Sequence, residues 1–394
     1  MADLENVQEK TSSVTDHDND DAAVKTFAEL WLSLSWIDRL LAPAVLLAMI
    51  LGVLIGVYAE SGVRRAFKES AQWDGVSIPI LVGLLLMIWP ALVKVQWEKI
   101  ADLFRDSSVL VQLAISFMLN WIVAPFIMLG LAWATLPESS LSRERSGVLL
   151  VGVARCIAMV LIWNTISNGH TNYCGLLVVF NSLLQVVLFA PYAVLFCNLL
   201  SGSNGTSKLI LDYKQVSRSV GIYLGIPLAA GLATRLFVLY TMKASGLKKV
   251  LSFIGPIAPL GLLYTTTVLF ATQGKRIVDN IGTVFRICVP LILYFAVVWT
   301  VTFFAFWKIA RTARGRRFGG YEMAVTQAFT AGSNNFELAI AVATAAFGAD
   351  SPEVLAATLG PLVEVPVLLS LSYVALWLRH RLHWQPAPRV EAMT

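Results

Sequence analysis

Two residues that could do chemistry stand side by side in "GVLLVGVARCIAMVLIWNTI" (147–166): Arg155 and Cys156. No acidic residue accompanies the arginine in that segment. In hydrocarbon a central arginine costs roughly 2.5 to 3.5 kcal/mol, so its side chain is expected to face protein and find a partner elsewhere, either as a functional group or as a structural pair. A cation beside a thiol raises its reactivity toward soft electrophiles. A second polar cluster occurs in "AGSNNFELAIAVATAAFG" (331–348), where Asn334, Asn335 and Glu337 interrupt another apolar run. A third is Glu364 in "GPLVEVP" (360–366), flanked by Pro361 and Pro366. A carboxyl among apolar residues is placed to take up and release a proton; the competing reading is a permanent Glu364–Arg155 bridge. Asn181 and Gln185, in "FNSLLQ" (180–185), can hydrogen-bond but not titrate. A trivalent metalloid hydroxide is a soft electrophile of the kind a thiol captures. Three thiolates would hold it too tightly for turnover, whereas Cys156 among amide and carboxyl groups gives releasable capture.

These groups must be carried by membrane-spanning elements. The chain of 394 residues is 57% hydrophobic and 14% charged, with a mean hydropathy of +0.70, outside the range of soluble domains. Apolar stretches long enough to cross about 30 Å of hydrocarbon occur near 40–58, 78–95, 108–133, 147–167, 174–200, 217–240, 250–272, 285–307, 322–347 and 354–379. The expected architecture is therefore an all-α integral membrane protein with ten transmembrane helices. Residues 1–34 are polar, acidic and without an apolar signal core, and read as a disordered cytosolic tail. Residues 382–394 read as a cytosolic C-terminal tail.

Charge excludes more than it assigns. The net charge of +5 comes from Lys and Arg in short loops between apolar runs, where such residues set orientation rather than bind nucleic acid. With the N-terminus cytosolic, 17 of them fall on the cytosolic face and 11 on the other, so both termini are expected inside. The four cysteines lie in or beside spans, and no CxxC, HExxH or histidine cluster occurs. Neither a disulfide framework nor a metal site is indicated, and no cofactor is implied. No His/Asp pair or GxSxG nucleophile lies within the spans, which argues against an intramembrane hydrolase.

The two halves of the chain echo one another in order. "GVLIGV" (52–57) parallels "GIYLGI" (221–226), and "VVFNSLLQVVLF" (178–189) parallels "ATLGPLVEVPVL" (357–368). The second alignment, at an offset of 179, pairs Gln185 with Glu364, Arg155 with Asn334 and Cys156 with Asn335. Repeats over 35–215 and 216–381, each with five spans, must enter the membrane in opposite senses. Transporters of this plan hold substrate near the midplane, between interrupted helices at matching positions. Gly332, Ser333, Asn334 and Asn335 are poor helix formers, so an unwound segment is expected there. Glu337 then falls in the first turn of the following half-helix, where it either caps the helix or handles substrate or protons.

"ARCIAMVLIWN" (154–164), "FNSLLQ" (180–185), "SNNFELAIAVA" (333–343) and "GPLVEVPVL" (360–368) together resemble the signature segments of the arsenical-resistance (Acr-type) arsenite permeases, within the bile acid/sodium symporter superfamily. The resemblance covers about residues 35–380. It implies a panel subdomain of spans 1, 2, 6 and 7 beside a core subdomain of spans 3, 4, 5, 8, 9 and 10. Broken helices 4 and 9 would cross in the core, with arsenite extrusion coupled to proton entry. The family's critical thiol falls on Cys156 and its carboxylate on Glu364. Sodium-coupled relatives resemble "AFETGMQN" at the ninth-span break. This chain has "AFTAGSNN" (328–335), with Thr330 in place of the sodium-liganding glutamate, so protons are expected as the coupling ion. The acidic tail and the long loop 199–215 look closer to fungal members.

The expected function is export of arsenite, with antimonite as a further substrate, in exchange for protons. The alternative is a sodium-coupled organic-anion symporter. The expected substrate site is Cys156, Arg155, Asn181, Gln185, Asn334 and Asn335, with Trp163 and Asn164 lining the pathway or, for Trp163, packing against lipid or a neighbouring helix. Proton coupling is expected at Glu364 first and Glu337 second. The plasma membrane is the expected location, the vacuolar membrane the alternative, and nothing in the sequence fixes an oligomeric state.

Overall fold

The computed structural model describes residues 36–384 apart from 69–71, 74–75, 96, 100–106, 202–210 and 313–319. The expected N-terminal tail, most of the loop 199–215 and the C-terminal tail from 385 onward lie outside the described residues. The chain divides into two compact units, Met1–Leu40 and Leu41–Thr394. Of the first unit, only the start of a helix, from Trp36, is described.

The second unit is built almost wholly from helices. Among the described residues six are long and apolar enough to cross a bilayer: Ser107–Thr135 (α4), Thr171–Leu200 (α7), Tyr213–Met242, Gly246–Asp279, Ile281–Ala310 (α11) and Pro352–Arg381 (α14). A seventh is formed if Pro43–Tyr58, within α1 (Trp36–Tyr58), is taken with Glu60–Phe67, which turns away from it by 101° and begins with the short helix α2 (Glu60–Val63). Within the third and fourth of these, α8 (Tyr213–Val220) runs through a π-turn into α9 (Ile226–Ile254), and α10 covers Ile257–Asp279.

The remaining expected spans take other forms. Residues 78–95 give α3 (Ile78–Val93), whose 16 residues reach about 24 Å at the α-helical rise. Residues 147–167 give two half-helices, α5 (Ser142–Val153) and α6 (Met159–Ile166). Residues 322–347 give another two, α12 (Tyr321–Ala331) and α13 (Phe336–Phe347). Gln72–Trp73 also pair antiparallel with Val76–Ser77, two residues on each side.

Small residues set the closest approaches, as expected where apolar burial gives helices little preference for one another over lipid. A Cβ on Gly56 would lie 2.3 Å from the Ala271 carbonyl oxygen, and one on Gly261 would lie 2.8 Å from the Met87 backbone nitrogen. Together with a Trp89 Nε1 to Thr234 Oγ1 hydrogen bond of 3.0 Å, these contacts join α1, α3, α9 and α10. A second set packs α4, α5, α7, α11 and α14 around the half-helices. There a Cβ on Gly147 would lie 2.4 Å from the Glu353 carbonyl oxygen, so α5 and α14 touch backbone to backbone. Arg143 closes that contact with a bidentate pair to Glu353, both bonds at 2.9 Å.

Candidate functional site

The two interruptions meet. Residues 154–158 separate α5 from α6, residues 332–335 separate α12 from α13, and Arg155 pairs with Asn334 in an isolated antiparallel bridge. The backbone N–H of Asn335 donates to the Ala154 carbonyl at 3.3 Å. Unwound backbone survives at membrane depth only where protein or a cavity satisfies it, and here each break satisfies the other.

Each break also exposes the carbonyl end of a half-helix, and side chains from the breaks cover those carbonyls. The Arg155 guanidinium donates to Gly152 O, in α5, and to Ala331 O, in α12, the latter at 3.4 Å, and reaches Tyr294 Oη at 3.2 Å. Asn334 Nδ2 donates to Val151 O at 2.7 Å and Ala154 O at 2.9 Å. The partner of the buried arginine is thus a set of carbonyls at the negative ends of two helix dipoles and not a carboxylate. Among the described residues no ion pair joins Arg155 to Glu364.

The expected action of Arg155 on Cys156 differs from what is found. Bridged, extended backbone sends successive side chains to opposite sides, so the guanidinium turns toward α11 and the thiol toward α6. Cys156 Sγ accepts the Val160 N–H at 3.3 Å, in the first turn of α6. The thiol is buried, at 6% exposed.

Glu364 is 1% exposed, its carboxyl near the backbone N–H of Asn334 and the indole of Trp163, with Glu364 Oε1 and Trp163 Nε1 both outside hydrogen-bond geometry. Its repeat mate behaves alike: Gln185 Oε1 accepts the backbone N–H of Arg155. Trp163 is 2% exposed, so it packs inside the protein and not on lipid. Room for this arrangement comes from Gly360, where a Cβ would fall 1.9 Å from the Phe336 ring. Asn335 Oδ1 caps α13 by accepting the Leu338 N–H at 3.0 Å. Glu337, in the same first turn, is partly exposed and sits against its own N–H.

Five buried polar atoms around the crossing have no hydrogen-bond partner: Arg155 Nε, Gln185 Nε2, Trp163 Nε1, Asn334 Oδ1 and Glu364 Oε1. Three can donate and two accept. Unmet buried polar atoms are expensive, and this mixture suits a solute with hydroxyl groups, which both gives and receives hydrogen bonds.

Two expected site residues lie elsewhere. Asn181 is satisfied by α4, accepting from Trp121 Nε1 at 3.1 Å and donating to Ser116 Oγ at 3.3 Å. Asn164 Oδ1 accepts from Thr326 Oγ1 at 2.8 Å and presses on Gly169, tying the end of α6 to α12. Tyr294 was missed, and its only signal is that it is the single tyrosine in the apolar run of α11. Thr330 turns its hydroxyl to its own helix, donating to Thr326 O at 2.6 Å.

Comparison with known proteins agrees with this geometry. The model of the Sodium Bile acid symporter family matches residues 81–280. An arsenical-resistance protein Acr3 of Corynebacterium glutamicum is 37% identical over 355 residues, covering 89% of this chain and 91% of that protein. An uncharacterized transporter of Synechocystis sp. is 30% identical, covering 86% and 88%. An Acr3 of Alkaliphilus metalliredigens is 28% identical, covering 90% and 95%. The chain is a multi-pass membrane protein that belongs to the sodium/bile acid symporter family, as a permease of the arsenical-resistance Acr3 type.

Proposed function

We propose that this chain is a secondary active transporter that exports arsenite, and with it antimonite, from the cytosol in exchange for protons, across the plasma membrane. The observation that carries this reading is the buried Cys156 thiol at the first break, beside a cluster of unmet donors and acceptors. The names of the two Acr3 relatives supply the substrate class.

Capture is an exchange at the metalloid. The thiol sulfur forms a bond to arsenic, one As–OH bond breaks, and the thiol proton leaves with that hydroxide as water. Water reverses the step on the far side. The two remaining hydroxyls meet Asn334 Oδ1, Gln185 Nε2 and Trp163 Nε1. Glu364, which lies near Asn334 of the second break and Trp163 of α6, is the proton-coupling group; Glu337, partly exposed at the head of α13, passes protons to it.

Ten spans in two inverted repeats, 35–215 and 216–381, with both termini cytosolic, form the frame of this reading. The bridge between Arg155 and Asn334 supports it, because residues aligned by the duplication become antiparallel neighbours, as a two-fold axis between them would require. So does the matched behaviour of Gln185 and Glu364. The helices α1, α3, α9 and α10 form the panel and the remainder the core. Sodium-coupled uptake is disfavoured by Thr330, whose hydroxyl is already engaged.

Metalloid uptake into everted membrane vesicles under an imposed pH gradient tests the reading. Wild type accumulates metalloid when the interior is acidic, Cys156→Ser does not, and Glu364→Gln loses the response to the gradient. Uptake indifferent to the gradient, or surviving both substitutions, overturns it.

A further inference from the structure

A second polar enclosure lies away from the crossing, where α3 and α10 meet α13 and α14. It is a cavity of about 30 Å³ lined by Ser77, Leu269, Gln273, Ile340, Thr344 and Thr358, among others, room for about two water molecules. Ser77 and Gln273 are 4% and 2% exposed, and Ser77 Oγ and Gln273 Oε1 have no hydrogen-bond partner. A dry void would be lined by apolar groups; this one presents two orphaned oxygens.

Its position connects it to the crossing. On α13, Ile340 and Thr344 follow Glu337 by one and two turns. On α14, Thr358 precedes Glu364 by six residues, about 9 Å along the helix. The cavity therefore sits between the Glu337–Glu364 pair and the turn that joins α13 to α14. Three side chains close that end against backbone carbonyls of the same turn and its approach: Gln273 Nε2 to Ala349 O at 2.8 Å, Arg276 Nη1 to Ser351 O at 3.1 Å and Gln215 Nε2 to Ala345 O at 2.5 Å. Gln273 takes part in both features, with its amide nitrogen in the closure and its amide oxygen unmet at the cavity.

We propose that this cavity is an exit-side binding station for a small uncharged hydroxylic solute, a metalloid trihydroxide, sealed from the non-cytosolic face by the Gln273–Ala349 and Arg276–Ser351 contacts. The inference rests on the transport function proposed above and adds a second site to it. Water-sized in the closed form, the cavity widens when the seam between α10 and the α13–α14 turn parts, and Ser77 and Gln273 then receive the solute's hydroxyls. The closing contacts are made by side chains to backbone carbonyls, so they break one by one without leaving a buried charge unpaired.

The test separates a station from a packing defect. Thr358→Ile fills the cavity, Thr358→Val keeps its shape without the hydroxyl, and Ser77→Ala removes one orphaned oxygen. Arsenite uptake is measured in everted vesicles, alongside protection of Cys156 by arsenite against a thiol reagent. A station predicts at least a tenfold slower uptake in Thr358→Ile and a severalfold slower uptake in Ser77→Ala, with a near-normal rate in Thr358→Val and unchanged Cys156 protection in all three. A packing defect predicts normal uptake and a raised melting temperature in Thr358→Ile, and that result overturns the proposal. Should Thr358→Ile fail to reach the membrane, Ser77→Ala decides, and a wild-type rate there overturns it too. If the wild-type chain itself moves no arsenite, the proposed function fails instead.

Discussion

The break after α5 and the break after α12 share a backbone plan and differ in chemistry. Both pair with each other through one bridge, and both receive a side-chain acceptor from a later helix of the same half, Gln185 on one side and Glu364 on the other. The first break carries a cation and a thiol, whereas the second carries two amides and is followed by a carboxylate. Architecture is thus held in common and reactivity is not. The residues that can change protonation or form a bond to a ligand stand where the two halves differ, Cys156 against Asn335 and Glu364 against Gln185.

That contrast can be broken first at its most reactive point. Glu364→Gln makes the two halves alike and is expected to leave metalloid transport without pH-gradient response. Adding Gln185→Glu to it should not restore coupling, because the new carboxyl would sit on the Arg155 N–H and away from Trp163. Efflux against a graded series of imposed gradients reads both. The shared plan is weakened next by Arg155→Ala, which strips the guanidinium from Gly152 O and leaves Ala331 O with Tyr294 Oη alone. At about 1–3 kcal/mol for each buried group left unmet, a clear fall in the thermal midpoint of the purified protein is expected. Arg155→Lys should recover part of it, since an ammonium lacks the planar fork that reaches both carbonyls. The smallest effect belongs to the second break alone. Asn335→Ala removes the cap of α13 and should cost about 1 kcal/mol, visible as a modest shift in the same melting curve with Cys156 still protected by arsenite.

Much of this site was legible in the sequence, unevenly. Gly332 to Asn335 announce a break by their poor helix propensity. Nothing in "ARCIAM" does so, and the first break was accessible only through its alignment with the second and through the family resemblance. The polar residues were visible because hydrocarbon makes each one conspicuous, yet their partners were not. Arg155 invited a carboxylate, but backbone carbonyls carry no sequence signal, and it is these that it holds. Adjacency misled in the same way, since Arg155 and Cys156 point apart. Asn164 and Asn181 entered the expected site through the segments "ARCIAMVLIWN" and "FNSLLQ", and their side chains tie neighbouring elements together. Ten apolar runs were readable, but two of them fold as paired half-helices and one as a helix of 16 residues, because length along the sequence does not report where a helix stops.

The carbonyl partners of Arg155 bear on how membrane voltage acts in the proposed exchange. A helix C-terminus carries roughly half a negative charge, so two of them offset the one guanidinium, and the trihydroxide brings no charge of its own to the crossing. Voltage then does no work on the metalloid and acts on the proton alone, at about 2.3 kcal/mol per 100 mV for each charge that crosses. The slope of efflux against membrane potential would count protons directly, with the metalloid electrically silent.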